Sequence, residues 1–309
     1  MGRPLRLGAL LLGLVAPEAG SFRVTVDLNT YTSDELGFAA RAWAGQLDGT
    51  WTLANNSGWN GSATQPSDAQ WRDALAAVGP EQFSEQMWPC SAADDAAWNC
   101  SGIAGFSDHS AQQCQIVRRL APRSQLSGAF AYHETGSLPH TMLSWAELGK
   151  VSRACGGAGV LGHTRLYQGP WKTMVDAVLA HPKLLGVVME IDITKYSPGH
   201  VVFGQAGPFA RAMLAAGKQP FFLLPLKADG ANTTGMPAAG QIRAFLRNVT
   251  AEVQNASLLA DPRINVVVAR YGRPGLLAVS GGGEDTVAAA VAAALAAKRA
   301  PVSGGSNRR

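Results

Sequence analysis

The sequence predicts an α/β fold, a (β/α)8 barrel of the TIM type, and three observations carry that expectation. Short β-rich runs alternate with longer segments of helical period along most of the chain, the pattern of βα units around a parallel sheet. Eight such runs are present, the number that closes this kind of barrel. Two of them, Phe221-Phe222-Leu223-Leu224 and Val266-Val267-Val268-Ala269, are apolar without interruption, as strands buried on both faces must be. A doubly wound open parallel sheet, which one missed or invented strand would separate from the barrel, is the runner-up.

The expected strands are residues 22–28, 50–54, 82–88, 128–133, 159–163, 186–191, 220–227 and 264–270, the third being the weakest. The expected helices are 34–46, 68–78, 111–120, 144–155, 170–180, 208–217, 241–254 and 284–298. Several boundaries are chemical. Ser33-Asp34-Glu35 and Gly169-Pro170-Trp171 read as helix starts, and Gly156-Gly157 and Gly217 as stops. The Ala-rich stretch 287–297 reads as a packing helix without chemistry.

Composition narrows the class. Of 309 residues, 47% are apolar and 16% charged, which describes a folded chain rather than a disordered one. The net charge of +4 is carried largely by Arg3, Arg6, Arg299, Arg308 and Arg309 near the two ends, so no basic surface for nucleic acid is implied. The start, Met1-Gly2-Arg3-Pro4-Leu5-Arg6, then an apolar run over 7–16 and small residues at Ala19 and Gly20, has the layout of a signal peptide. That apolar run is about half of the ~20 residues a membrane-spanning helix needs, and no stable membrane span is expected elsewhere.

Secretion agrees with two other features. Asn55, Asn60, Asn99, Asn232, Asn248 and Asn255 each begin an Asn-x-Ser/Thr triplet, the acceptor for N-linked glycans. Cys90, Cys100, Cys114 and Cys155 are even in number, as disulfides require. Three pairings exist, of which Cys90–Cys100 with Cys114–Cys155 is preferred. The expected organisation is a leader over 1–20, one barrel domain over 21–300 with a Cys-containing insertion near 89–110, and a disordered tail over 301–309.

In such barrels the reacting groups stand at the C-terminal strand ends and on the loops that follow. Here those ends read Tyr132-His133-Glu134, Gly162-His163-Thr164-Arg165, Met189-Glu190-Ile191-Asp192, Leu226-Lys227-Ala228-Asp229 and Arg270-Tyr271. Residues two apart on a strand share a side, so Glu190 with Asp192, His163 with Arg165 and Lys227 with Asp229 project as pairs. Glu190 is the sharpest candidate, because it closes the apolar run 184–189.

Two carboxylates flanking a sugar are the minimum apparatus for glycoside hydrolysis. Glu134 and Glu190 are the candidate pair, with Asp192 as the alternative partner. A carbohydrate substrate would be oriented by His133, His163, Arg165, Lys227, Arg270 and Tyr271, while Trp59 and Trp88, with Trp98, offer flat rings on which a sugar stacks. Trp43, Trp71, Trp145 and Trp171 have helical context and read as packing residues. This reading needs no cofactor.

A second chemistry uses some of the same residues. The segments Gly162-His163-Thr164-Arg165, Met189-Glu190-Ile191-Asp192-Ile193-Thr194-Lys195 and Val201-Val202-Phe203 resemble the opening of glycerophosphodiester phosphodiesterases. The resemblance spans residues 163–203. It implies His163 as acid or base, Arg165 as a phosphate ligand, and Glu190 and Asp192 as ligands of Mg²⁺ or Ca²⁺, for which oxygen donors are suited. A non-catalytic glycan-binding barrel is the third alternative.

Overall fold

The computed structural model describes residues 22–28, 33–53, 67–79, 81–85, 125–127, 160–165, 175–176, 179–180, 184–191, 193, 196, 198–199, 203–228, 239–252, 258–272 and 287–299. Eight parallel strands close into a barrel in sequence order: β1 (Arg23–Asp27), β2 (Gly49–Leu53), β3 (Glu81–Glu85), β4 (Gln125–Ser127), β5 (Val160–Arg165), β6 (Leu184–Glu190), β7 (Gln219–Ala228) and β8 (Asn265–Gly272). The barrel closes where Val24 and Val26 of β1 pair with Val266 and Val268 of β8. The eight-stranded barrel is therefore the fold, and the open sheet is not.

Alternation along the strands produces two separate cores. Val24, Val26, Val187, Met189, Phe222 and Leu224 face outward into a core shared with the helices. Trp51, Phe83, Leu161, Val188, Phe221 and Leu223 fill the interior, with Val267 and Ala269. The interior is a packed plug. Trp51 stacks on Phe83 with centroids 4.7 Å apart, and both rings meet Phe221 edge-on at 5.5 and 5.4 Å. The indole Nε1 donates to Thr25 Oγ1 at 3.0 Å, so the one polar atom of that ring is satisfied inside the barrel.

The helices α1 (Ser33–Ala42), α2 (Asp68–Val78), α3 (Ala206–Ala215), α4 (Ala239–Glu252) and α5 (Val287–Arg299) cover the outside of the sheet. Their local causes are readable. In α2, Trp71, Ala74, Leu75 and Val78 form one buried stripe at helical spacing, and Ser67 caps the start by a reciprocal bond with Gln70. Helix α3 ends as Gly217 takes φ +72°, Lys218 N–H reaches Met213 O at 2.8 Å, and Gly217 N–H reaches Leu214 O at 3.0 Å. That is a Schellman ending, which glycine permits without strain.

The N-terminal end of the barrel is tied by charge. Arg23 pairs with Glu81 across the interior. Outside it, Lys298 near the end of α5 donates to both carboxylate oxygens of Asp48 at 2.7 Å, and Asp48 Oδ2 also accepts the Val24 N–H at 2.7 Å. Gly186 allows β6 to approach β7, because a Cβ at that position would run into the Gln219 carbonyl.

The fourth strand differs from expectation. It is Gln125–Ser127, just ahead of the run expected at 128–133, which lies outside the described residues, as do the expected helices 111–120 and 144–155. With one apolar residue, Leu126, between two polar ones, this strand carries almost no hydrophobic signal of its own. The leader, the insertion, the tail and the four cysteines also lie outside the described residues. Of the triplet asparagines, Asn248 is described, half-buried within α4. Among the described residues no helix is long and apolar enough to cross a membrane.

Candidate active site

The C-terminal mouth of the barrel follows from the register. Glu190 is the last residue of β6, lies on the same strand face as the interior residue Val188, and is 2% exposed. Its register partners are Arg165, the last residue of β5, and Leu223 of β7. His163 is in register with Val188. On the other side of β6, Lys227 of β7 is in register with Tyr271 of β8. Lys227 follows the alternation of Phe221 and Leu223, and Tyr271 that of Val267 and Ala269, all interior residues.

The backbone thus brings His163, Arg165, Glu190, Lys227 and Tyr271 onto the interior alternation of four adjacent strands, near one end of the barrel. Arg270 falls elsewhere. In register with Leu226, it follows the alternation of Val266 and Val268, which face the helices, and two successive strand residues cannot occupy the same face. Its place is therefore apart from Tyr271. His133, Glu134, Asp192, Asp229, Trp59, Trp88 and Trp98 lie outside the described residues. Trp43 and Trp71, read as packing residues, are buried in the outer core.

Three carboxylates among the described residues are buried: Asp27, Glu35 and Glu190. Glu35 belongs to α1, whereas Asp27 and Glu190 each end a strand. Asp27 follows the alternation of Thr25, whose hydroxyl receives the interior indole, so it too belongs to the inside of the mouth. Glu85, the last residue of β3, is on the alternation of Phe83. Neither Asp27 nor Glu85 stood out in the sequence, although the alternation Arg23-Val24-Thr25-Val26-Asp27 contains the signal for the first.

The divalent ion implied by the phosphodiesterase resemblance finds one described ligand, Glu190. Among the described residues no three His, Cys, Asp or Glu side chains form a group that would hold a metal ion. Asp192, the other ligand that the resemblance implies, lies outside the described residues.

No protein-family model matches the chain, and no curated protein matches it. Solved structures do. A Bacteroidetes-affiliated GH5 cellulase is similar over 91% of this chain and 91% of its own, with a TM-score of 0.50 at 12% identity. A β-mannanase from Streptomyces thermolilacinus, solved with mannohexaose, is similar over 87% of this chain and 80% of its own, with a TM-score of 0.45 at 13% identity. N-(5'-phosphoribosyl)anthranilate isomerase from Pyrococcus furiosus is similar over 88% of this chain and 98% of its own, with a TM-score of 0.43 at 12% identity. The likeness to the cellulase is one of fold, the TIM-type barrel.

Proposed function

We propose that the chain is a secreted glycoside hydrolase acting at the C-terminal mouth of the barrel. The observation that carries the reading is Glu190: a buried carboxylate that closes β6 on the interior face, in register with Arg165. Strand C-termini are where this fold places its chemistry, and Glu190 stands at one of them. The cellulase that shares the fold supplies the substrate class, a carbohydrate.

In this reading Glu134 gives its proton to the glycosidic oxygen as the C–O bond breaks, and Glu190 or Asp192 serves as the nucleophile or as the base that takes a proton from the attacking water. His163, Arg165, Lys227 and Tyr271 orient hydroxyl or anionic groups of the substrate, and Trp59 and Trp88 stack on its rings. The mature protein would leave its signal peptide behind and carry glycans and disulfides.

The test is hydrolysis of a polysaccharide panel by the wild type and by Glu190→Gln. Glu190→Gln is expected to lose turnover by at least about 10²-fold with an unchanged circular-dichroism spectrum. A fully active Gln variant overturns the assignment. A phosphodiesterase is the second reading, favoured by the shared alternation of His163, Arg165 and Glu190 on adjacent strands. Turnover of glycerophosphodiesters, with none of glycans, would establish it instead.

A further inference from the structure

Helices α3 and α4 pack side by side on the outside of the barrel, and their buried stripes settle which way the other side chains face. Phe209, Ala210 and Met213 of α3 and Ile242, Phe245 and Val249 of α4 enter the outer core. Arg211, Arg243 and Arg247 are all exposed on the far side. Arg243 and Arg247 stand one turn apart on α4, about 5–6 Å between Cβ atoms, and Arg211 sits across a helix spacing of about 8–10 Å. All three lie near the middle of their helices, so they share one flank of the barrel wall, away from the mouth.

Their charge has no counterpart within the fold. Among the described residues these three side chains make no ion pair or hydrogen bond, whereas Arg23, Arg263 and Lys298 each hold a carboxylate. Neither helix supplies an acid three or four residues away from any of them, since the one acidic residue in the two is Glu252, the last of α4. Helix α2, by contrast, sets Asp68 four residues before Arg72. Like charges one turn apart oppose helix formation, so the pairing of Arg243 with Arg247 is unfavourable for the helix by itself. Arg41 of α1 is exposed as well, but it is the one cation of its helix.

We infer that the α3–α4 flank is a docking surface for an anionic polysaccharide, one that carries carboxylate or sulfate groups along its chain. Arginine suits both, because its planar fork donates two parallel N–H bonds to such an oxyanion. The partner is a polymer for an energetic reason. One exposed charge pair gains little against solvent and salt, and only charges repeated along a chain engage three separated arginines together. The other described exposed residues of the two helices, Pro208, Ala215 and Gln241, offer neither the aromatic platform of a single-stranded nucleic-acid site nor the bulky apolar face of a lipid-surface helix. The choice of a polysaccharide among polyanions rests on the secretion proposed above.

The full chain is expressed in a eukaryotic secretory host, and the purified protein is tested by biolayer interferometry against heparin, polygalacturonate and uncharged dextran at low and high salt. The expected result is binding of a polyanion but not of dextran, lost at high salt, with the tighter of the two polyanions identifying sulfate or carboxylate as the preferred group. The double variant Arg243→Gln/Arg247→Gln should bind at least about 10-fold more weakly with its unfolding midpoint kept. Arg41→Gln removes one charge elsewhere and should stay within about 2-fold of the wild type. Wild-type affinity in the double variant, or equal losses in Arg247→Gln and Arg41→Gln, overturns the docking surface. Tighter binding of a DNA duplex or of phosphatidylserine vesicles than of either polysaccharide overturns the partner class. Secretion fails separately: a chain retained inside the host cells overturns the polysaccharide as partner, whereas a secreted chain that binds neither polyanion overturns the flank and leaves secretion standing.

Discussion

Arg165 and Glu190 are register partners on adjacent strands, and each is the last residue of its strand. In the proposed glycosidase reading these two residues hold substrate together, a task a geometry-specific guanidinium performs better than an ammonium. Arg165→Gln is expected to lower kcat/KM on the best glycan by about 10- to 100-fold, the equivalent of one charge-assisted hydrogen bond, with Arg165→Lys recovering only part. Steady-state kinetics on both variants decides it. Wild-type kinetics in Arg165→Gln would remove that residue from the site.

The interior plug carries its own prediction. Trp51 gives its Nε1 proton to Thr25 Oγ1 at 3.0 Å in a place closed to water, both side chains being at most 2% exposed. Thr25→Val keeps the shape and leaves the indole without its acceptor. Such an orphaned donor costs about 1–3 kcal/mol, to be measured as a lower urea midpoint at unchanged m-value, while Thr25→Ser should cost less. Equal stability of Thr25→Val and wild type would mean that the indole finds another partner.

These elements show what was legible in the chain. The expected helix at 68–78 coincides with α2, because Trp71, Ala74, Leu75 and Val78 repeat at helical spacing behind a Ser67–Gln70 cap. Strand β7 was equally plain, since Phe222 and Leu224 feed one core while Phe221 and Leu223 feed the other, which leaves no polar residue to interrupt the run. Strand β3 was faint for a physical reason: Phe83 is the one apolar residue in Glu81–Glu85, yet that ring joins the aromatic plug. Strand β4 was hidden by the polar flanks of Leu126.

The site divides in the same way. Glu190 announced itself by ending an apolar run, whereas Asp27 ends a strand whose interior face reads Arg23, Thr25, Asp27 and so looks like solvent-facing alternation. Only the closed barrel reveals that the polar face is the inside one. Arg270 and Tyr271 looked equivalent as strand-end residues, but one step of register separates the two faces.

A further prediction concerns closure of the barrel at its other end. Asp48 receives both the Lys298 ammonium and the Val24 N–H, so it joins the last described helix to the first strand. The ammonium and the carboxylate are about one-quarter exposed, and pairs of that kind contribute about 0–1 kcal/mol. Lys298→Met should therefore cost little. Asp48→Ala should cost more, about 1–3 kcal/mol, because it also strands a backbone donor at the start of β1. Chemical denaturation of the two variants tests the order, and equal losses would assign the whole effect to the ion pair.

The last prediction is a pH dependence set in the turn before β8. Asp261 accepts Arg263 Nη2 at 2.6 Å, Arg263 Nε at 3.0 Å and the Arg263 backbone N–H at 2.9 Å, while Arg263 Nη1 donates to Leu214 O at 3.2 Å at the end of α3. The side-chain hydrogen bonds from Arg263 hold the Asp261 carboxyl below the usual carboxylate range, against the opposing pull of burial. The folded protein therefore binds this proton less tightly than the unfolded chain does. The contribution of Asp261 to stability is then fully present above the ordinary aspartate value of about 3.9 and is lost as the pH falls through the lower folded value. Asp261→Asn is expected to melt below the wild type at pH 7 and to approach it as the pH drops under about 4. Thermal melts of both proteins from pH 7 down to the acid limb provide the check. A difference in melting temperature that stays constant into acid would show that the turn is held by bonds that do not depend on the ionised carboxylate.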